Sequence, residues 1–343
     1  MFKGRKVVLI VATVFLVAGV SIAMSAYAMA GFNPTNLSTI TNWEQNTKTF
    51  APEADAPHTS LLVDSGGYGV RLEPSEGDSF QVISWSNSEL GIEIDDKNGA
   101  LAIRNYRKQA FSFMQINMDF QDRATVVKIP TSYTGSITIE SGSGNVDASN
   151  LSNLASLNVN MSSGHVTLTK VTAAEISLSV ASGNLNVSDL QANNVNVFAS
   201  SGNISLTTVA AMQSIKLETN SGNHQLSDLN APTISVRASS GHIDAERIDA
   251  SDVSFNISSG NIDALLTGLA SDYAIESSII SGHLNVPTGS SSGTRHLIIQ
   301  IGSGYANVDF SGLSDTSVQS IGSLSNRSTE PDVPAAPAIP AAS

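Results

Sequence analysis

The 343-residue sequence predicts an all-β chain, a single-stranded parallel β-helix or solenoid with coils of about 19–22 residues. Three observations predict it. The tripeptide Ser-Gly-Asn or Ser-Gly-His recurs with its glycine at Gly144, Gly164, Gly183, Gly202, Gly222, Gly241, Gly260 and Gly282, and a ninth copy at Gly304 is followed by Tyr305. The intervals are 20, 19, 19, 20, 19, 19, 22 and 22 residues, a fixed period of the kind that marks solenoids. Alternating runs follow the glycines, as in Val166-Thr167-Leu168 and Ile204-Ser205-Leu206, and a second set follows about ten residues later, as in Ile176-Ser177-Leu178 and Ile215-Lys216-Leu217.

Period-two alternation puts the apolar residues on one face of a strand and Ser, Thr, Asn or Asp on the other. Between the two runs lie pairs such as Leu190-x-Ala192 and Val209-x-Ala211, which turn a corner while still pointing inward. One coil cannot bury its apolar face alone. Stacking coils at about 4.8 Å buries it and gives a rod roughly 40 Å long over eight intervals. Crossovers between parallel strands favour a right-handed coil. The nine repeat glycines are expected at corners that need positive φ, and the serines before them at crowded positions that only small residues fit. Asn residues beside the glycines are expected to bond along the rod as a ladder.

The rest of the chain divides around this repeat. Lys3, Arg5 and Lys6 precede an uncharged run over residues 7–30 that ends in two overlapping A-x-A patterns, so residues 1–30 read as a signal peptide or transmembrane anchor. Either reading exports everything after about residue 31, and the lack of charge before Glu44 favours a retained anchor facing outside. Residues 31–60 are polar and read as a linker. Residues 61–129 read as an aromatic-rich β cap with strands near 69–72, 80–85, 91–94, 101–104, 111–118 and 125–129, suited to closing the open end of a solenoid. Residues 130–310 are the solenoid repeats. Residues 311–343 read as a flexible Pro/Ala/Ser tail.

Composition narrows the chemistry. A formal net charge of −13 argues against nucleic acid as a partner. The absence of cysteine excludes a disulfide framework and thiolate metal sites. His165, His242 and His283 share one corner slot in coils two, six and eight, but at about 4.8 Å per coil the nearest two are about 10 Å apart, too far to hold one metal ion. His224 falls in a normally apolar slot and is expected to be hydrogen-bonded or to lie in a distorted coil. Asp244 and Asp263 occupy one outward slot in consecutive coils, with Asn285 expected next, so no third acid completes a calcium site. Arg104, Arg107 and Lys108 read as a solvated turn. Gly289-Ser290-Ser291-Ser292-Gly293 matches a hydrolase motif that works only in a strand-to-helix turn, and no helix pattern follows it. No catalytic residue, metal site or cofactor is therefore expected.

The succession of Ser-Gly-Asn or Ser-Gly-His with an alternating strand, entered through Lys128-Ile129-Pro130, resembles a bacterial family of β-strand-repeat proteins, the putative adhesins, over about residues 61–310. The resemblance implies a β-solenoid, often membrane-tethered, and for some members a link to cell-envelope stress. It brings no catalytic residues. The expected function is non-catalytic binding or scaffolding at the cell envelope, with an envelope protein, a cell-wall polymer or a cationic peptide as partner and the membrane engaged through residues 7–30. The alternative is an enzyme acting on envelope polysaccharide.

Overall fold

The computed structural model describes residues 43–51, 57–87, 90–108 and 123–312, together with isolated positions between 19 and 25. The expected anchor, the strand near 111–118 and the tail beyond 312 lie outside the described residues. Among those described, no helix is long and apolar enough to cross a membrane.

The chain is a stack of parallel coils forming one sheet of 15 strands. The N-terminal part contains β1 (Glu44–Phe50), β2 (Ser60–Asp64), β3 (Val70–Ser75), β4 (Phe80–Ser86), β5 (Leu90–Lys97), β6 (Ala100–Arg107) and β7 (Thr125–Pro130). The repeats contain β8 (Ser136–Ser141), β9 (Asn145–Ser201), β10 (Ile204–Ser221), β11 (Asn223–Asn230), β12 (Thr233–Asp249), β13 (Asp252–Leu266), β14 (Tyr273–Asn285) and β15 (Arg295–Phe310). Strand β9 is long because its hydrogen bonding runs on around several corners.

Each coil has two walls and two corners. In one coil Leu185 and Val187 line the first wall, Leu190 and Ala192 the far corner, and Val195, Val197 and Ala199 the second wall, all buried. Like residues stack above one another: Ile204 pairs with Leu185 on one side and His224 on the other, and Ile215 with Val195 and Ile234. This continuous core is what a single coil could not make for itself.

The two corners are turned by different means. At the first stand the repeat glycines, with φ between 106° and 149°. That range lies beyond the left-handed well near +57° that Asn or Asp can occupy. A Cβ built on Gly202 would overlap the carbonyl oxygen of Gly183 in the neighbouring coil, so the position excludes a side chain twice over. The serines before the glycines bond from coil to coil, as between Ser182 and Ser201 at 3.2 Å. The Asn ladder is partial: Asn184 bonds to His165 at 3.0 Å and to the backbone of Asn203 at 3.4 Å. The second corner has a left-handed residue in each of six coils: Asn150, Lys170, Asp189, Thr208, Asp228 and Arg247, with φ of 54–56°. Each spaces the inward residues three apart instead of two, as from Leu168 to Val171, and so bends the wall. The pairs such as Leu190-x-Ala192 mark this corner in the sequence, but the varied side chains hid the left-handed residue that turns it.

Stacking in chain order fails at both ends. The Gly260 coil is in register with Gly304, and Gly304 in turn with Gly282, so β15 lies between β13 and β14. After β13 the chain climbs past one layer, forms the terminal layer with β14, and returns to fill the gap. The two 22-residue intervals supply the extra length for the step and the return. A polar clasp holds the crossing. Arg295 meets Asp249 at 3.0 Å and donates to the Tyr273 hydroxyl at 3.0 Å, which donates to the Thr267 carbonyl at 2.9 Å.

At the other end β2 lies between β6 and β8, and β3 between β7 and β9. The first coil in sequence is therefore inside the second. Antiparallel strands then close that end, β5 on β6 and β4 on β7, with β1 on β4. Phe80 packs edge-on against Tyr133 and His58, with centroids 5.0 and 5.2 Å apart, and Arg123 lies 4.4 Å over the Trp43 ring. Part of the stretch read as a linker is thus the strand β1. Its side chains are exposed or half-buried on both faces, which removed the alternation that would have revealed it.

Candidate functional site

The outward side chains of each wall form rows along the rod, one residue per coil. On the wall leading into the glycine corner, Asp64 is in register with Arg104 on one side and Glu140 on the other. Glu140 pairs with Asn160, and Phe198 with Glu218 further along. Over Asp64, Glu140, Asn160, Ser179 and Phe198 the wall carries a depression of about 370 Å³. Its edge next to the corner is low because Gly142, Ser162 and Ala181 stand there. Phe198 is 47% exposed although it lies on the polar face, and its ring closes one end of the trough. Two carboxylates in adjacent coils mark the other end.

Part of this arrangement was legible. Phe198 is an apolar break in a row of polar and charged residues, a signal that sequence reasoning passed over. The pairing of Asp64 with Glu140 was not legible, because 76 residues separate them and the exchanged coil order alone makes them neighbours.

The expected pair Asp244 and Asp263 does stand in register. The next residue in the slot is Asn307, and Asn285 follows only in the terminal layer, correcting the expected order. The exchange also brings Tyr305 beside Asn261, and its hydroxyl donates to Asp263 at 3.0 Å. That bond holds the Tyr305 phenol above its ordinary range. His242 approaches the same carboxylate at 3.8 Å. His283 lies beyond Tyr305, three coil spacings from His242 and so about 14 Å away, instead of two. Among the described residues no three His, Asp or Glu side chains are grouped to hold a metal ion.

His224 departs from expectation. It is 1% exposed in an undistorted register between Ile204 and Ile243, and neither ring nitrogen has a hydrogen-bond partner. Burial, aided by the charge of His242, pushes the ring down to about 4. It is a core residue in a coil that carries a buried polar group without compensation.

The remaining candidates are structural. Arg104 opposes Glu93 as well as Asp64 in register, and Lys108 donates to the Asn87 carbonyl at 2.8 Å. Ser290 and Ser292 bond to each other at 2.9 Å in the loop that returns from β14 to β15, and no helix follows. At the second corner Arg247 reaches back one coil to Asp228 at 2.8 Å and holds that carboxyl below its usual range. A second depression, about 270 Å³, opens beside Leu154, Ala173, Ala192 and Met212 and is lined by no ionisable group.

Parallel coils of fixed register, closed at one end by antiparallel strands, define a β-solenoid repeat protein. Residues 58–315 match the family described as Toastrack DUF4097, and the chain belongs to that family. Three solved structures illustrate the similarity. A putative lipid binding protein from Parabacteroides distasonis ATCC 8503 is 16% identical with a TM-score of 0.49, over 78% of this chain and 98% of that one. A putative adhesin from the same organism is 16% identical with a TM-score of 0.46, over 78% and 97%. A putative adhesin from Parabacteroides merdae ATCC 43184 is 14% identical with a TM-score of 0.43, over 78% and 96%. No curated protein matches the chain.

Proposed function

We propose that the chain is an exported, non-catalytic β-solenoid that binds an envelope polysaccharide along its outer wall, as an adhesin or scaffold, with a role in the response to envelope stress. Residues 7–30 hold it at the outer face of the cell membrane. The trough from Asp64 to Phe198 is the observation that carries this reading. A sugar ring offers a flat patch of C–H groups edged by hydroxyls. The exposed Phe198 ring suits the patch, Asn160 and Ser179 donate to or accept from hydroxyls, and Asp64 and Glu140 accept strongly from hydroxyl or amine donors. Rows repeated at the coil spacing suit a ligand that is itself a repeat.

A glycosidase that cleaves polysaccharide by the common two-carboxyl route would need one carboxyl on each side of the scissile bond. Asp64 and Glu140 stand side by side in one row of one wall, so they meet a ligand from the same side. The 13 acidic against 5 basic residues between 141 and 310 also suit a cationic peptide, so charge contributes to retention under either ligand.

The test incubates the chain with cell-wall fragments at rising salt and measures both retention and released product. Phe198→Ala is expected to weaken retention by about tenfold, the worth of roughly 1.4 kcal/mol of stacking. Glu140→Gln should weaken it and flatten its salt dependence. Retention unchanged by both substitutions rejects the trough, and turnover abolished by Glu140→Gln promotes the enzyme. Export is tested separately: protease added to wall-stripped cells should digest the region after residue 31, and protection of it would reject an outward-facing chain.

A further inference from the structure

The two ends of the rod differ. One is closed by β4, β5 and β1. The other ends on β14, which among the described residues pairs only with β15; Ser290 of the return loop donates to the Tyr273 carbonyl at 2.9 Å, and beyond that bond the far edge carries no strand. Above that edge the core stops on Ile275, Ile279, Leu284 and Val286, which are only partly buried. Ile280 is 89% exposed. Edge strands are ordinarily guarded by lysine, proline, a bulge or a covering segment. Between Tyr273 and Asn285 there is no lysine or proline, and Glu276 is the only acid. A solenoid with an open core end needs a cap.

We propose that a second copy of this chain supplies the cap, the two rods joining tip to tip through antiparallel pairing of their β14 edges. The self-complementarity of the wall part of β14, residues 274–280, selects this occupant. A two-fold axis through Ser277 sets Ile275 of each copy opposite Ile279 of the other, in the row continuous with the core. On the outward face it sets Ile280 opposite Ala274, a large exposed side chain beside a small one, and Glu276 opposite Ser278. Inward residues thus meet inward residues, and no like charges face each other. The backbone groups of both edges gain partners, and the two core ends cover one another.

The contact is isologous, each copy presenting the same β14 edge, and so it closes at two. The axis leaves the capped ends pointing apart. Copies anchored as proposed above would therefore meet from facing surfaces, although the dimer itself does not depend on that anchoring.

The chain has no cysteine, so Ser277→Cys introduces one thiol, placed on the axis. Opposite residues of an antiparallel pair lie about 4.5–5.5 Å apart between Cα atoms, within disulfide reach. The purified full-length Ser277→Cys chain, oxidised in mild detergent, should run as a covalent dimer on a non-reducing gel. Adding Ile280→Lys should lower the cross-linked fraction by about tenfold or more, with the β-sheet circular dichroism unchanged because Ile280 is exposed. Ser281→Cys, four residues from the axis, should cross-link poorly. A monomer before and after removal of residues 313–343 overturns the proposal. So does cross-linking that appears only after that removal, which would assign the edge to the chain's own C-terminal segment. Cross-linking indifferent to Ile280→Lys also overturns it.

Discussion

Gly304 lies in register with Gly260, although Gly282 is the next repeat glycine in the chain. This exchange decides which side chains become neighbours at the C-terminal end, and places Tyr305 against Asp263. It is directly testable. Ser259 and Ser303 are register partners with their hydroxyls 3.2 Å apart. Parallel neighbours at about 4.8 Å lie within disulfide reach, so Ser259→Cys with Ser303→Cys should form an intramolecular bond under mild oxidation. Ser259→Cys with Ser281→Cys should not, since the β15 layer intervenes. The reverse result, read by peptide mass mapping, would restore stacking in chain order.

The glycine corner should be far less tolerant than the wall beside it. Forcing an L-residue into an unfavourable positive-φ conformation costs roughly 1–2 kcal/mol, and at Gly202 the added Cβ also meets the Gly183 carbonyl. Gly202→Val is expected to lower stability by more than that range. Ser205→Val, on the outward face of the same coil, should stay within about 0.5 kcal/mol. Equal losses in a denaturant titration would mean that the faces are assigned wrongly.

Thr208 has the opposite expectation. It is β-branched, exposed and held at φ 56°, where branching is unfavourable and asparagine is tolerated. Thr208→Asn should raise stability by about 1 kcal/mol, part of the penalty for the left-handed conformation. A loss on the same titration would show that the threonine methyl or hydroxyl makes a contact worth more than the strain.

His224 makes stability depend on pH. Its pKa is about 4 in the folded chain and near 6.5 when unfolded. Between those values the unfolded chain binds more protons, so stability is fully present above about pH 6.5 and falls as pH drops towards 4. The loss is on the order of 3 kcal/mol. His224→Leu should abolish this component and stabilise the chain most at pH 5, which denaturation midpoints at pH 5 and 7 would measure. An identical pH dependence in the variant would show that the ring is hydrated or bonded in solution.

The repeat architecture was legible because it rests on local chemistry. Alternation, small corner residues and a glycine every 19 or 20 positions leave a chain little to do except coil and stack, and the inward rows Leu185–Val187 and Val195–Val197 are where alternation puts them. The slot shared by Asp244 and Asp263 followed from the same period. Strand β1 was not legible, since an edge strand with no buried face carries no alternation. Nor was the left-handed residue of the second corner, where Lys170, Asp189 and Arg247 share a conformation and no chemistry.

What the sequence by itself determined is therefore the coil: its length, its inward face and the corner that only glycine can turn. The tertiary structure alone decided the order of coils at the two ends. Every coil offers nearly the same apolar face and the same hydrogen-bonding edge, so the sequence of one coil does not say which other coil lies above it. The choice falls to long-range contacts such as the Arg295–Asp249–Tyr273 clasp and the closing strands β4 and β5. Asp64 beside Glu140, Tyr305 beside Asp263 and the strandless edge of β14 all follow from that choice, because a residue's neighbours in a solenoid are set by stacking and not by proximity along the chain.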